Sequence, residues 1–187
     1  MALESKTIRL REIRDEDIDF VVALRNDLGT QAWSRTLPPD TTRSMYEKRY
    51  HDKEFSFDRT DGHFVISLTK TDEPIGYAAY SGLKDRHEAM IGLAIARTHW
   101  GKGYATLACD LLLGFLFDEA GVHIIRWWTT SDNEGSVALA RKLGFVDGVR
   151  LRNGIFRAGQ FADNLQLDLL RSEWYERQPD RPDGMSV

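Results

Sequence analysis

Cysteine is almost missing from this chain. Cys109 is the only one in 187 residues, so no disulfide can form within it and nothing argues for secretion. An excess of one charge is missing too. The 25 Lys and Arg stand against 29 Asp and Glu, and a net charge of -4 gives no global attraction to nucleic acid or anionic lipid. Apolar runs are short and broken by charge, which excludes a helical membrane span. Residues 1–11 hold no apolar stretch of signal-peptide type. Internal repeats and low-complexity segments are absent. The five histidines form no HxxxH or Cys/His spacing, which leaves no metal site, and no Gly-x-Ser-x-Gly supports a hydrolase triad. The expectation is a cytoplasmic chain, 42% apolar and 29% charged, with enough residues for one packed domain.

Periodicity supplies the elements. Residues 7–11 alternate as a strand, and Asp15 is placed to cap a helix over 16–27 with Ile18, Val21, Val22 and Leu24 as its apolar stripe. Leu28-Gly29 should stop that helix. Thr41 or Thr42 should cap a second, polar helix reaching about 52–54. A hairpin over 63–69 and 75–81 follows, then a strand over 88–96 and a helix to about 119. Residues 122–130 read as a strand, 133–143 as a capped helix ended by Gly144, and 148–157 with 161–170 as a closing hairpin. Two strand–helix–strand passages in the second half imply parallel pairs in a mixed α/β sheet. Residues 177–187, rich in Pro, Asp and Gly, read as a tail outside a domain of 1–176.

Chemistry concentrates at Trp100-Gly101-Lys102-Gly103-Tyr104-Ala105, between a strand and a helix. Two residues without Cβ let the backbone turn tightly and approach a ligand. The first N–H groups of the helix lack internal partners and carry the positive end of its dipole, which suits a diphosphate. Lys102 could add a cation. An isolated Gly-x-Gly is more often a plain connection, so the neighbouring motifs decide.

Trp100 to Ala105 resembles the acetyl-CoA loop of the GNAT superfamily, Gln/Arg-x-x-Gly-x-Gly/Ala, with Gly103 and Ala105 at the last two fixed positions. Trp100 in place of Gln or Arg resembles the branch of ribosomal-protein N-terminal acetyltransferases, the Rim type. Asn133-Glu134-Gly135-Ser136 followed by Lys142-Leu143-Gly144-Phe145 is similar to the Asn-x-x-Ser and Lys-Leu-Gly-Phe segments of the superfamily. Arg152 to Gly159, Asp163 and Leu170 to Trp174 resemble the Rim-type C-terminus. Leu107 departs from the branch, which often carries Glu there.

The resemblance implies a single GNAT-type domain with splayed strands. It also implies transfer of acetyl from acetyl-CoA to a primary amine, either a peptide N-terminal α-amine or a small molecule. The rival is an inactive acyl-CoA sensor. No metal, nucleic acid or membrane partner is expected, and a homodimer stays open. Backbone groups of Leu93, Ala94 and Ile95, the run from Trp100 to Thr106, and Asn133 and Ser136 would contact the cofactor. In many relatives a tyrosine protonates the departing thiolate. That position here is Ala140, so the role passes to the Ser136 hydroxyl one turn earlier. Glu88 is the candidate base, with a solvated carboxylate as the alternative, and His87 reads similarly. Trp33, Tyr46 and Tyr50 would either wall the amine pocket or pack. Cys109 beside Ala108 reads as core.

Overall fold

A computed structural model describes residues 3–31, 41–53, 60–84, 87–157 and 159–178. In chain order, β1 (Ile8–Arg11) leads through a 3-10 turn (Asp15–Asp17) into α1 (Ile18–Asn26), α2 (Leu28–Gln31) and α3 (Arg43–Lys53). Three strands follow: β2 (Gly62–Leu68), β3 (Pro74–Lys84) and β4 (Glu88–Ile95). After a 3-10 turn (Arg97–His99) come α4 (Tyr104–Gly114), a π-helical turn (Phe115–Glu119), β5 (Ile124–Thr130) and α5 (Glu134–Lys142). β6 (Val146–Arg157), β7 (Gln160–Leu170) and α6 (Arg171–Glu176) complete the chain. The strands hydrogen-bond in the order β1-β2-β3-β4-β5-β7-β6. The chain forms two compact units, Met1–Tyr80 with Gly92–Leu112 and Ser81–Ile91 with Leu113–Val187, so β3, β4 and α4 contribute to both.

Several boundaries move for local reasons. Asp15 does not cap α1; the chain first makes the 3-10 turn, and the Asp17 carboxylate takes the backbone N–H of Arg14 at 2.8 Å. Leu28-Gly29 begins α2 instead of only stopping α1. Asp27 turns to an extended conformation (ψ 105), and its side chain takes the Thr30 N–H at 2.9 Å. Thr42 caps α3 through the Met45 N–H at 3.2 Å. The long helix ends at Gly114, where one π-helical turn buries Leu116 and Phe117. An unforeseen helix, α6, is closed by Glu173 accepting the Leu170 N–H at 2.9 Å and anchored by buried Trp174 against Phe117, 5.9 Å between rings. Arg177 donates to the Lys142 carbonyl at 3.1 Å.

Of the two expected parallel pairs, one is adjacent. β4 and β5 pair in parallel over four residues, Glu88↔Ile124 to Ile91↔Trp127. The second crossover reaches β6, but β7 inserts next to β5 and pairs antiparallel with both. β5 and β6 therefore run the same way without touching. A tight hairpin must place β7 beside β6, and the edge of β5 is the place left for it.

In the first unit, Ile18 and Val21 of α1 pack with Ile13, Tyr46 and Val65, and Tyr77 leans on the same cluster. Beside it lies a buried ion pair. Arg11 grips Asp17 with two bonds of 2.6 and 2.9 Å, and its Nε donates to Asp72 at 3.0 Å. Asp72 also takes Arg14 at 2.8 Å and the Ser67 hydroxyl at 3.0 Å. The network ties the entrance of α1 to the β2–β3 turn. Burial pushes the Asp17 carboxyl up, but Arg11 and the Arg14 N–H outweigh it and hold it below its ordinary 3.8.

That balance sets a prediction. A carboxyl whose folded value is lowered gives stability that is present above its ordinary value and lost as pH falls through the lower folded one. Asp17→Ala leaves Arg11 buried without its main partner, which costs about 3–5 kcal/mol. The expected drop in melting temperature near pH 7 is on the order of 10 °C, and it narrows on acidification below the usual carboxylate range. Thermal melts of both proteins from pH 7 to 3 check this.

Candidate active site

In the first unit, the end of β4 and the start of α4 carry the glycine loop. The Ala96 N–H donates to the Ile75 carbonyl of β3 at 2.9 Å. The Ala94 carbonyl also faces β3: a Cβ on Gly76 would lie 2.6 Å from it, so only glycine fits that position. Backbone groups of consecutive strand residues point to opposite neighbours. Those of Leu93 and Ile95 therefore point away from β3. Leu93 and Ile95, expected with Ala94 to meet the cofactor arm, lie beyond the ladder with β5, which extends from Glu88 to Ile91.

The chain then makes a 3-10 turn, with the Trp100 N–H on the Arg97 carbonyl at 3.2 Å. The Trp100 indole Nε1 folds back onto the Ile95 carbonyl at 2.6 Å, and half of the residue remains exposed. This clamp was not foreseen; an indole N–H must find an acceptor, and only the fold shows which. Gly101 and Gly103 both take left-handed conformations, φ 73 and 79, with open space where a Cβ would stand. The first bond of α4 runs from the Leu107 N–H to the Gly103 carbonyl at 3.2 Å. The N–H groups of Tyr104, Ala105 and Thr106 precede it, outside the helix ladder. Lys102 is exposed beside them. Such a turn offers donors and a positive dipole end to a diphosphate. Behind it Cys109 is buried, and burial pushes its thiol up, so it is an inert core residue.

The second unit holds the other motif. Asn133 caps α5, its Oδ1 taking the Ser136 N–H at 3.1 Å. The buried Trp127 of β5 donates its Nε1 to the Ser136 Oγ at 2.9 Å. That bond occupies an acceptor lone pair of the hydroxyl and leaves its proton to be donated elsewhere. Trp127, itself buried, thus orients Ser136. Ala140, one turn on, is fully buried and carries nothing to donate.

Two expectations change. Glu88 opens β4 at the end remote from Ile95, and its carboxylate accepts Arg126 Nε at 2.8 Å. That bond, and the charge behind it, hold Glu88 below the ordinary carboxylate value. A base for an ammonium needs the opposite shift, so Glu88 reads as half of an ion pair. His87 stacks on His123, 5.6 Å between rings. Tyr46 is 9% exposed within the α1 cluster, a core residue and not a pocket wall. Trp33 and the side chain of Tyr50 lie outside the described residues. Among the described residues, no group of His, Cys, Asp and Glu could hold a metal, and no helix is long and apolar enough to cross a membrane.

Comparison with known proteins gives a consistent picture. A family profile described as acetyltransferase (GNAT) domain matches residues 7–146. The chain is 24% identical over 173 residues to the uncharacterised N-acetyltransferase p20 of Bacillus licheniformis, covering 92% of this chain and 97% of that one. It is 32% identical over 87 residues to YdaF of Bacillus subtilis, a proposed ribosomal N-acetyltransferase, covering 46% of this chain and 48% of that one. The crystal structure of spermidine N-acetyltransferase from Vibrio cholerae in complex with CoA and spermine superposes with a TM-score of 0.84 at 22% identity, covering 91% of this chain and 99% of that one.

The geometry of the loop sets the second prediction. Saturating acetyl-CoA, at about 100 times its Kd, should stabilise the protein by about 2.7 kcal/mol. Gly103→Val forces a branched residue to a positive φ and should abolish that thermal shift. Asn133→Ala should lower stability by about 1 kcal/mol through the lost cap, and weaken acetyl-CoA binding as well. A fall in stability alone would leave Asn133 a cap and nothing more.

Proposed function

The chain belongs to the acetyltransferase (GNAT) family and is an acetyl-CoA-dependent N-acetyltransferase; from that premise we propose how its residues divide the work and which amine they serve. Residues 1–176 are the catalytic domain in this reading, and its location is cytoplasmic. When bound, acetyl-CoA supplies the activated acetyl group. The turn from Trp100 to Thr106 would hold the diphosphate, Leu93 and Ile95 the pantetheine arm, and Asn133 would assist. Ser136 would donate to the departing sulfur. The bond from Trp127 supports that assignment, because it fixes the hydroxyl oxygen and leaves the O–H for the thiolate. Backbone N–H groups of β4 would stabilise the oxyanion, and holding amine and thioester adjacent supplies much of the rate.

The acceptor we infer is a singly charged amine, a peptide N-terminal α-amine in line with the Rim-type resemblance, in preference to a polyamine. One observation carries this. A polycation is held by carboxylates left available to it, and the described carboxylates of α1 and α3 are largely engaged. Asp19 and Glu47 share Arg43 at 2.6 and 2.7 Å, and Asp17 is closed off by Arg11. Asp27, between α1 and α2, is committed to Thr30.

Spermidine, spermine and peptides with N-terminal Ser or Ala, each offered with acetyl-CoA, separate the readings by CoA release and product mass. The peptides should give kcat/KM at least tenfold above the polyamines. Polyamines turned over faster would reverse the assignment, and acetyl-CoA bound without release by any amine would favour the sensor. For Ser136 the pair with Trp127 gives a sharp test. Ser136→Ala strands a buried indole N–H and should cost about 1–3 kcal/mol, and it should lower kcat with little change in acetyl-CoA affinity. The double variant Ser136→Ala/Trp127→Phe should recover stability but not kcat. Wild-type kcat in either would remove Ser136 from the chemistry.

A further inference from the structure

With Glu88 committed to Arg126, the amine still has to lose its proton, because an ammonium is not a nucleophile. The described residues of the first unit include a hydrogen-bonded histidine–tyrosine pair suited to take it. His63 of β2 and Tyr77 of β3 lie diagonally across the antiparallel ladder, through the pairs His63↔Ala79 and Val65↔Tyr77, so both point to the same face. Their rings stack at 5.8 Å, and the Tyr77 hydroxyl and His63 Nδ1 are hydrogen-bonded. Both side chains are half-buried. The face is the one covered by α1 and α3, since Tyr77 packs on the Ile18, Val21 and Tyr46 cluster. Arg25, in the last turn of α1, lies over the Tyr77 ring, 5.7 Å from its centroid.

Register places this pair close to the reacting end of the strand. The Ala96 N–H meets the Ile75 carbonyl. Gly76, the neighbour of Tyr77 on β3, lies against the Ala94 carbonyl. Ala94 lies in the stretch of β4 whose alternate backbone groups are assigned above to the pantetheine arm. A histidine–tyrosine pair buried far from the chemistry would only fill space. This one stands on the strand next to that stretch, on the face covered by α1 and α3.

We propose that Tyr77 and His63 form the proton relay that deprotonates the acceptor amine, an inference that rests on the acetyl-transfer reading above. The Tyr77 oxygen takes one proton from the ammonium as its own proton passes to His63 Nδ1. The freed amine nitrogen bonds to the thioester carbonyl carbon, the carbon–sulfur bond breaks, and the nitrogen gives its second proton to water as the amide forms. The thiolate takes up a proton from Ser136, which recovers it from water. His63 then returns the relayed proton to solvent through Tyr77. The net products are the N-acetyl amine, CoA thiol and one proton. Among the described residues, Arg25 from α1 lies over the Tyr77 ring, and Tyr46 from α3 belongs to the cluster that Tyr77 packs against.

The test compares wild type with Tyr77→Phe and His63→Gln, both of which keep the shape of the pair. The acceptor is whichever of spermidine and the Ser-initiated peptide the wild type acetylates. Each variant should lose roughly 10²-fold in kcat/KM for the amine at pH 7, while the acetyl-CoA thermal shift stays within error. The loss should shrink toward pH 10, where the amine is already free. A purely structural role would leave it the same at every pH. Independently of turnover, the Cζ resonance of Tyr77 in protein labelled with ¹³C-tyrosine should move as His63 titrates and stop doing so in His63→Gln. Wild-type kcat/KM in both variants, or a loss that does not change with pH, overturns the relay and leaves the transferase reading intact. Acetyl-CoA binding with no CoA release by the wild type overturns the transferase reading itself.

Discussion

Alternate backbone groups along β4 point to opposite neighbours, and the end of the strand that leads into the glycine turn depends on that alternation. Ala94 and Ala96 spend theirs on β3. Leu93 and Ile95 are turned the other way, and the parallel ladder with β5 extends only from Glu88 to Ile91. A strand ladder that ran the full length of β4 would have no backbone to offer a ligand. Gly76 is part of the same constraint, because a side chain there would push β3 off the Ala94 carbonyl. Trp100 then fixes how the chain leaves the strand by returning its indole to Ile95. The glycine turn and the first turn of α4 inherit their position from that one bond.

A second economy of the same kind appears at α5. Asn133 is at once the helix cap and the motif residue, and Ser136 is both its backbone donor and the acceptor of Trp127. Local folding and site geometry are therefore the same set of bonds. Substitutions there report on stability and on function together, and only paired variants separate the two. The Arg11, Asp17 and Asp72 network, by contrast, is structural. It joins the helix entrance to the β2–β3 turn through the buried Arg11–Asp17 pair and the part-exposed Asp72, so its loss is felt in stability first.

Similarity over most of the chain establishes the family, but it does not choose the acceptor. Spermidine N-acetyltransferase shares the fold at 22% identity. At that distance the charges on α1 and α3 are free to differ. Here Arg43 sits between Asp19 and Glu47 and takes both. Pairing of this kind, invisible in a count of acidic residues, decides whether a helix face attracts a polycation.

The sequence by itself determined the order of the strands and of the helices other than α2 and α6, the position of the glycine turn, the Asn133 cap and the buried stripe of α1. Each of these is a short-range matter of periodicity, capping chemistry and backbone freedom within a few residues. It also carried the family, because Gly103, Ala105, Asn133 and Ser136 stand at fixed spacings along the chain. Tertiary structure decided what those residues face. Glu88 meets Arg126, 38 residues away, and so reads as an ion pair. Tyr46 turns into the core, and Trp127 finds Ser136. β7 slips beside β5, leaving one adjacent parallel pair where two were expected. His63 and Tyr77, 14 residues apart and unremarkable in sequence, become partners only through strand register. Pairing between strands and the charge state of a buried group depend on contacts distant in the chain, and no local pattern encodes them.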